Sequence, residues 1–457
     1  MFNRILLLAA IVGLWVLMQL LDAYMPVPVL LFLLCMIIAG MSLHTVWLLS
    51  AQSRWSRKQK KLLAAKIDGH EVQANSIDGS LVCLEPVWKP SVDIFVSAKN
   101  EARVIENCVR NLFKIDWDDY QVWIIDDNSS DNTAQIIEGM QAEFPRLRLI
   151  KRTPDSRPGK SAALNEALAL AKGEAVAVFD ADSYVAPDFL KIMLPVLAPE
   201  DVGAVQAQKK IYESQTGFLV ECQASEYAID TYFQMSRDLI KGVVELRGNG
   251  QIVKRQALID VGGWNNNSIT DDLDLSMRLL VNNWSISFCP DAVVWEEAVP
   301  TLKGLIRQRR RWAEGSIRRY LDYAFPLNSP FRLSFVERFD ILVFLGQFAV
   351  PLLVALEVMS ELMAFLTGGQ THSRLFLGVL IGIGLVTQVN FFNGLRYYRK
   401  NGNVLQAWLH SGVINTYMFA LWMPCVFIGI KQIIFHSQTS TWHRTEHSGQ
   451  PHLPTVS

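Results

Sequence analysis

The sequence has no histidine between Glu71 and Thr371, although eight histidines occur in the chain as a whole. If that stretch is the catalytic body, the absence excludes a Ser-His-Asp triad and a histidine metal cluster from it. Acid–base chemistry and metal ligation there must come mainly from carboxylates.

Cysteine pairs and an excess of charge of either sign are also missing. The six cysteines are scattered without a CxxC pair, which argues against a disulfide framework and against a thiolate zinc or iron–sulfur site. The net charge of −1 provides no global field for a nucleic-acid partner. Charged residues make up 19% of the chain and hydrophobic residues 50%, whereas soluble proteins carry about 25% charged residues. The composition predicts a chain that lies partly in a membrane.

The hydrophobic residues are concentrated at the two ends of the chain. Five apolar runs stand out: Ile5–Leu21, Val27–Leu49, Ile341–Leu356, Leu375–Leu395 and Val413–Ile430. The second is long enough for the roughly 30 Å hydrocarbon core, and the first is at the short limit. A signal peptide is the alternative for the first run, but residues 20–24 make a poor cleavage site. Basic residues follow the second and fourth runs, so these ends are predicted to be cytoplasmic. Four and five spans both remain open, and with them the side of the C-terminal tail.

These features predict five segments in a multi-pass membrane protein of 457 residues. They are a transmembrane hairpin (1–50), a cytoplasmic linker (51–90), a cytoplasmic catalytic domain that ends in a basic interfacial helix (91–329), C-terminal transmembrane helices (330–436) and a polar tail (437–457).

The middle of the chain alternates between strands and helices. The predicted strands are Val92–Val96, Val122–Ile125, Leu147–Ile150 and Ala175–Phe179, and the predicted helices are Ala102–Phe113, Ala134–Phe144 and Lys160–Ala171. Alternation with continuously apolar strands predicts an α/β, Rossmann-like domain with a mostly parallel sheet covered on both faces. Ligands in such sheets bind beyond the carboxyl ends of the strands.

Carboxylates follow three of the predicted strands. Glu101 comes after the first, Asp126 and Asp127 after the second, and Asp180 and Asp182 after the fourth. Strand ends and helix caps attract acidic residues without any function, but that explanation fits one cluster better than three. Asp180 and Asp182 are alternate residues and point the same way on an extended chain. The pair suits Mg²⁺ or Mn²⁺ shared with a phosphate.

Two further motifs open predicted helices. The segment Arg157–Lys160 offers a lysine and a helix N-terminus to a phosphate, or it is an ordinary Pro-Gly turn. Thr270 precedes Asp271, Asp272 and Asp274. Acidic residues are favourable in a first helical turn, yet three in four residues repel each other, so one of them is a candidate general base.

The segment Lys303–Arg319 contains seven basic residues and one acidic residue, Glu314. A basic helix on an anionic membrane surface is one interpretation. In the other, arginine neutralises a diphosphate leaving group and Trp312 stacks on an acceptor. The two interpretations of this segment are compatible with each other.

The motifs VSAKNE, DDNSSD, GKSAALN, DAD, TDD and QRRRW, in this order, resemble those of the membrane-integrated family 2 glycosyltransferases. The resemblance covers Val92 to Trp312 and implies a GT-A catalytic domain. It implies nucleotide contacts from Glu101, Asp126, Asp127 and Lys160, a site for Mg²⁺ (or Mn²⁺) at Asp180 and Asp182, a general base at Asp272, and a QxxRW signature at Gln308, Arg311 and Trp312. The usual glutamate of the base motif is Asp271 here, which leaves open which aspartate is the base.

A narrower resemblance concerns the segment Val244–Gln251 and the stretches GGWNNNSITDDLDLSMRL and QRRRWAEGSIRRYLDY. They are similar to cyanobacterial enzymes that form β-monoglucosyldiacylglycerol. This similarity implies a UDP-glucose donor, a diacylglycerol acceptor in the bilayer and inversion at the sugar, with no obligatory protein partner. A processive polysaccharide synthase and a non-catalytic nucleotide-sugar receptor are the alternatives. The sugar, the metal and the oligomeric state stay open.

Overall fold

The computed structural model describes residues 2–67, 73–74, 81–82, 88–323, 333–368, 373–398 and 403–435. The helices within these residues are α1 Phe2–Tyr24, α2 Val27–Ile67, α3 Ile105–Leu112, α4 Thr133–Met140, α5 Lys160–Leu170, α6 Phe189–Leu197, α7 Phe218–Leu239, α8 Arg255–Asp260, α9 Asp271–Val281, α10 Leu302–Asp322, α11 Phe335–Thr367, α12 Ser373–Tyr398 and α13 Val404–Phe435.

A short antiparallel pair, β1 (Gln73–Ala74) and β2 (Leu81–Val82), precedes one large sheet. The strands of that sheet are β3 Val92–Ala98, β4 Tyr120–Asp126, β5 Leu147–Lys151, β6 Ala175–Phe179, β7 Tyr184–Val185, β8 Val202–Ile211, β9 Gln251–Lys254 and β10 Ser285–Glu296. Their order is β5-β4-β3-β6-β9-β8-β10-β7. The first four run parallel, as do β8 and β10, whereas β9 and β7 pair antiparallel with their neighbours. The predicted mostly parallel α/β sheet, with long apolar helices before and after it in the chain, is confirmed.

Both faces of the sheet are buried, which explains the continuously apolar strands. Along β3, Ile94 belongs to the core on one face and Phe95 to the core on the other. Successive side chains of a strand point to opposite faces, so a sheet with helices on both sides needs apolar residues at every position.

The register brings the carboxyl ends of the central strands together. Ala98 at the end of β3 lies opposite Asp126 at the end of β4, and Val96 lies opposite Phe179 at the end of β6. The segments after β3, β4 and β6 therefore start from one edge of the sheet, as predicted.

The main difference between predicted and observed elements is at α3. The carbonyl oxygen of Glu101 accepts hydrogen bonds from the backbone N–H groups of both Val104 and Ile105, at 3.0 Å each. This turn delays the helix to Ile105, whereas its apolar spacing predicted a start at Ala102. The turn also holds Glu101 close to the end of β3.

The described chain divides into two compact units. The helical unit comprises Met1–Ala51, Ile240–Gly242 and Arg309–Gln438, and the sheet unit comprises Gln52–Leu239 and Val243–Gln308. Helix α2 continues to Ile67, into the predicted linker. The first third of α10 groups with the sheet unit and the rest, from Arg309, with the helical unit, whereas the sequence placed the whole helix in the catalytic domain.

Three described helical segments are long and apolar enough to cross a membrane: Cys35–Arg57, Phe348–Thr367 and Val404–Phe435. Arg4–Leu20 is apolar but shorter. Polar side chains of α12 contact two of these segments, because Asn390 donates to Thr45 of α2 at 2.8 Å and Gln388 donates to Ser411 of α13 at 2.7 Å. Buried polar pairs of this kind are typical of helices that associate in lipid.

The basic residues of α10 are not all available to a membrane surface. Arg309 and Arg319 are buried, and Arg318 pairs with Glu314 at 2.8 Å. The interpretation of this segment as a basic helix on an anionic membrane surface therefore does not extend to Arg309 and Arg319. Lys303 and Arg307 are exposed and can meet such a surface.

Gly250 provides a test of how tightly the sheet is packed around the strand ends. Its φ is +68°, and a Cβ there would lie 2.5 Å from Val294 Cγ1 on β10. We expect Gly250→Ala to lower the free energy of unfolding by about 2 to 4 kcal/mol, from backbone strain and overpacking together. Thermal unfolding of the purified protein measures this.

Gly139, inside α4, is the matched control, since a Cβ there meets nothing within 4 Å. Gly139→Ala should raise the stability by about 0.5 to 1 kcal/mol. Equal unfolding midpoints for the two variants would contradict the close approach at Gly250.

Candidate active site

The loops after β3 and β4 are joined by hydrogen bonds. Asn100, in a left-handed conformation with φ 57°, accepts a bond from the Ser130 backbone N–H at 2.7 Å. The Glu101 backbone N–H donates to Thr133 Oγ1 at 2.8 Å. Glu101 is thereby held, buried, beside the equally buried Asp126 and Asp127 loop.

Asp126 and Asp127 are buried in different surroundings. Asp127 pairs with Arg152, accepts the Gly159 backbone N–H at 3.1 Å and lies 3.6 Å from Lys99 Nζ. Asp126 accepts the Ser129 backbone N–H at 3.3 Å through Oδ2, while its buried Oδ1 has no hydrogen-bond partner among the described residues. Asp127 thus organises the loop before α5, whereas Asp126 keeps one buried oxygen outside the hydrogen bonds of the described residues.

Lys160 connects the start of α5 to the end of β6. Its Nζ donates to Asp180 Oδ1 at 2.6 Å and to the Gly248 carbonyl oxygen at 3.4 Å. Burial alone would lower the pKa of Lys160, but the nearby carboxylates of Asp180, Asp271 and Asp272 outweigh it and raise the pKa. Lys160 is therefore a permanent cation between the two predicted carboxylate clusters.

Asn249 holds the loop that follows β6. Its Oδ1 accepts the Asp180 backbone N–H at 3.2 Å and the Ser183 hydroxyl at 2.8 Å, while its Nδ2 donates to Glu296 at 2.9 Å. Glu296 also pairs with Lys209 at 2.9 Å. This buried network connects the Asp180–Ser183 turn to strands β8 and β10.

Asp182 and Glu101 lie near the buried thiol of Cys108. Burial first, and then the charges of Asp182, Asp180 and Glu101, raise the pKa of Cys108. The Glu297 backbone N–H donates to Asp182 Oδ2 at 3.2 Å. The carboxylates from β3 and β6 therefore share one electrostatic environment.

The donor set at Asp180 and Asp182 suits a hard divalent cation. The structure shows no group of three or more histidine, cysteine, aspartate or glutamate side chains that forms a metal cage within its described ranges. Magnesium is commonly held by one or two carboxylates and completed by water and substrate phosphates. Two carboxylates on alternate residues fit a cation that shares its coordination with a phosphate-bearing ligand.

The acidic cluster at the start of α9 separates into different roles. The helix begins at Asp271, as predicted, but Thr270 makes no side-chain capping bond. Asp274 is buried against Arg278 at 2.7 Å and accepts from Asn265 at 3.1 Å. Asp274 is therefore structural, and Asp271 and Asp272 remain as candidate bases.

The surroundings of Asp272 shift the pKa of its carboxyl group. Burial and the neighbouring charge of Asp271 raise its pKa to about 6, against the opposing charges of Lys160 and Arg247. A Cβ on Gly248 would lie 3.2 Å from Asp272 Oδ2, so the glycine leaves room for this carboxylate. A base with a pKa near neutrality is well suited to proton transfer.

Arg247 is fixed beside this cluster by two carboxylates. It donates to Asp230 at 2.7 Å and to Glu245 at 2.9 Å. Burial alone would lower its pKa, but these partners raise it. Arg247 supplies a fixed positive charge that limits the rise of the Asp272 pKa.

Gln308, Arg311 and Trp312 lie on α10, where positions i and i+4 share a helix face. Gln308 belongs to the sheet unit, and Arg311 and Trp312 belong to the helical unit. The guanidinium of the buried Arg309 lies 4.0 Å from the centre of the Trp312 ring. Arg309 thus supports the tryptophan of the signature.

Sequence reasoning missed three polar residues around the site, the buried Asn249 and Glu296 and the mostly buried Lys209. The available signal was weak, because an asparagine between two glycines resembles a turn and charged residues at strand ends are common. Only the fold shows that Asn249 and Glu296 contact each other across 47 positions of sequence.

Residues 90–315 match the family model described as "Glycosyltransferase like family 2". The chain is 38% identical over 370 residues to the β-monoglucosyldiacylglycerol synthase of Trichormus variabilis, which covers 79% of this chain and 77% of the relative. It is 45% identical over 236 residues to the enzyme of the same name from Synechocystis sp., covering 51% of this chain and 49% of the relative.

Among solved structures, the chain is similar to the mannosyltransferase PcManGT from Pyrobaculum calidifontis, solved with GDP-Man and Mn²⁺. The TM-score is 0.55 at 18% identity, over 89% of this chain and 98% of the other. At this identity the likeness concerns the fold alone, and it confirms the GT-A type of sheet.

Proposed function

The chain belongs to glycosyltransferase family 2, and we propose that it transfers glucose from UDP-glucose to the sn-3 hydroxyl of 1,2-diacylglycerol, forming β-monoglucosyldiacylglycerol. The observation that carries the proposal is the likeness, over most of the chain, to synthases of that glycolipid. The strand-end carboxylates and the perturbed Asp272 supply the chemistry that such a transfer needs.

In this proposal the edge formed by β3, β4 and α5 receives the nucleotide half of the donor. Asp126 offers its buried Oδ1, and Glu101 lies beside it. Asp127 places the loop that carries Lys160 through its bond to the Gly159 backbone N–H. Lys160 then provides a positive charge close to where the diphosphate meets Asp180.

Asp180 and Asp182 would hold Mg²⁺, or Mn²⁺ in its place, and the bound cation would neutralise charge on the diphosphate. Cationic side chains of the protein would neutralise charge on the diphosphate as well. Lys160 and, in the proposal, Arg311 stabilise the negative charge that develops on UDP as it leaves.

The proposed reaction is a single displacement. Asp272 accepts the proton of the diacylglycerol hydroxyl, and the oxygen forms a bond to the anomeric carbon as the bond from that carbon to the diphosphate breaks. One displacement inverts the configuration and gives the β-glucoside. Gln308 and Trp312 would help to position the sugar and the acceptor.

The membrane helices fit an acceptor that never leaves the bilayer. With three helices long and apolar enough to span, the protein stays at the lipid surface and only the acceptor hydroxyl has to reach Asp272. We propose that the sheet unit lies on the cytoplasmic side, and the basic residues that follow the second and fourth apolar runs support this orientation.

Purified protein in diacylglycerol-containing vesicles, incubated with labelled UDP-glucose and Mg²⁺, tests the function. We expect one labelled product that co-migrates with monoglucosyldiacylglycerol on thin-layer chromatography. Label retained at the origin as polymer would identify a polysaccharide synthase instead. Binding of UDP-glucose without any UDP release would identify a receptor.

The pH dependence of transfer follows from the raised pKa of Asp272. The base acts as the carboxylate, so kcat/KM should rise as the pH passes through about 6 and level off above it. Because the charge of Asp271 contributes to the raised pKa, Asp271→Asn should shift this rise in kcat/KM, the acid limb of the pH profile, to lower pH. A pH profile at constant ionic strength measures both. An acid limb unmoved by Asp271→Asn would contradict the assignment of that limb to Asp272.

A further inference from the structure

The sheet unit leaves two large apolar side chains exposed on neighbouring segments. Phe218 begins α7 and is 69% exposed, and Leu302 begins α10 and is 55% exposed. Among the described side chains of this unit only Leu170 and Ile259 are comparably exposed large hydrophobics. Isolated exposed apolar residues are ordinary, so the significance of the pair depends on where its members lie.

Hydrogen bonds hold these two segments against each other. Gln223, in the second turn of α7, donates to the Val299 carbonyl oxygen at 3.0 Å and accepts the Val299 backbone N–H at 2.9 Å. Gln215, just before α7, accepts the Ala298 backbone N–H at 2.7 Å. Phe218 and Leu302 therefore each lie within five residues of a junction that two glutamine side chains hold together, and we call the exposed ends of the two segments the rim.

The rim is directly connected to the candidate active site. Glu297, next to Ala298, donates its backbone N–H to Asp182, and Glu296 belongs to the network around Asn249. From the active-site contact at Glu297, the chain passes through the clamped Ala298 and Val299 and emerges at the exposed residues 300–303. Whatever contacts the rim is one short segment away from the proposed metal ligands.

The chemistry of the rim fits the headgroup region of a bilayer. Lys303 and Arg307 are exposed and four residues apart, so they share a face of α10. An exposed phenylalanine and leucine beside basic side chains is the pattern of interfacial membrane contacts. Glu213 is exposed before α7 and Glu221 lies in the first turn of α7, so apolar insertion rather than net charge would dominate binding. Three of the described helices are long and apolar enough to cross a membrane, so a bilayer is the partner that this chemistry favours.

We propose that Phe218 and Leu302, with Lys303 and Arg307, form a lipid-contacting rim through which the membrane-embedded acceptor reaches the active site. This inference deepens the proposed function and rests on it for the identity of the acceptor. The rim inserts into the interface, and the acceptor hydroxyl moves along the segment that ends at Glu297.

The kinetic test uses the full chain in phosphatidylcholine vesicles with a varied mole fraction of diacylglycerol. The double variant Phe218→Ser with Leu302→Ser should need about tenfold more diacylglycerol for half-maximal rate, with the KM for UDP-glucose unchanged. Leu170→Ser with Ile259→Ser is the matched control and should behave as wild type. Equal shifts in both double variants, or no shift in the first, would overturn the proposal.

A second measurement does not depend on the acceptor. Phe218→p-benzoylphenylalanine should cross-link to radiolabelled phosphatidylcholine on irradiation, and Ile259→p-benzoylphenylalanine should not. Absence of lipid label at position 218 would refute the rim even if glucolipid synthesis is found. Label at position 218 without any glucolipid product would support the rim while refuting the proposed function.

The basic residues provide the last comparison. Lys303→Gln with Arg307→Gln should reduce any stimulation by phosphatidylserine while shifting the diacylglycerol requirement in pure phosphatidylcholine less than the apolar double variant does. A larger effect of the charge variants in uncharged vesicles would contradict insertion as the main contact.

Discussion

Asp272→Asn is expected to reduce glucosyl transfer by about 10² to 10⁴-fold while leaving UDP-glucose binding close to wild type. Asparagine keeps the size of the side chain but cannot accept the acceptor proton as a base. The carboxylate lies beside Gly248 and between the charges of Asp271, Lys160 and Arg247, so the substitution removes one negative charge without a large change in packing. Transfer is measured with labelled UDP-glucose, and binding with the protein alone by titration calorimetry.

Asp271→Asn is the necessary comparison, because the sequence leaves both aspartates as candidate bases. It should retain most of the transfer rate at pH 8, where Asp272 is already ionised in wild type. If Asp271→Asn loses transfer while Asp272→Asn keeps near wild-type turnover, Asp271 is the general base and Asp272 is its charged neighbour. Asp274→Asn should act differently from both, because Asp274 pairs with Arg278. Loss of this ion pair should lower the unfolding midpoint before it affects transfer.

The strand-end carboxylates could be predicted because parallel strands deliver their carboxyl ends to one edge of a sheet. That rule needs only the strand positions, and the apolar runs supply them. It places Glu101, Asp126 and Asp180 together although they are far apart in sequence. The register, with Ala98 opposite Asp126 and Val96 opposite Phe179, bears it out.

The raised pKa of Asp272 could not be predicted, because it depends on how deeply the fold buries this carboxyl group and on which charges it brings near. Lys160 comes from the start of α5 and Arg247 from the segment before β9, and both act on Asp272. Spacing along α9 shows only that the two aspartates are neighbours in its first turn. The different surroundings of the Asp126 and Asp127 carboxylates have the same origin, since the Arg152 side chain and the Gly159 backbone N–H bond to the carboxylate of Asp127.

The basic segment of α10 shows a different limit of sequence reasoning. Successive residues of a helix point about 100° apart, so three consecutive arginines cannot share one environment. Arg309 is buried over the Trp312 ring, whereas Arg310 and Arg311 are only partly buried. Arg307, two positions before Arg309, is exposed. The sequence shows an excess of positive charge, but the packing of the helix determines which charges meet solvent, lipid or protein.

Asp180→Asn is expected to abolish the dependence of UDP binding on Mg²⁺ and to lower the transfer rate by about 10² to 10³-fold, the usual size of losing one electrostatic contact to a developing charge. The substitution has two consequences. It removes one of two carboxylates proposed to hold the cation, and it removes the charge that Lys160 contacts at 2.6 Å. UDP affinity, titrated at a series of Mg²⁺ concentrations, separates this variant from Asp272→Asn, in which the response of UDP binding to Mg²⁺ should persist.

Asp188→Asn is the control for this measurement. Asp188 follows the same turn, is exposed and makes no capping bond at the start of α6, so its loss should change neither UDP binding nor transfer. Within the turn, Asp182→Asn should reproduce the loss of Mg²⁺ dependence, because two carboxylates on alternate residues are proposed to share one cation. If Asp180→Asn and Asp182→Asn both retain Mg²⁺-dependent UDP binding, the cation is held elsewhere. Asp180 would then act by keeping Lys160 in place, and Lys160→Ala should reproduce its phenotype.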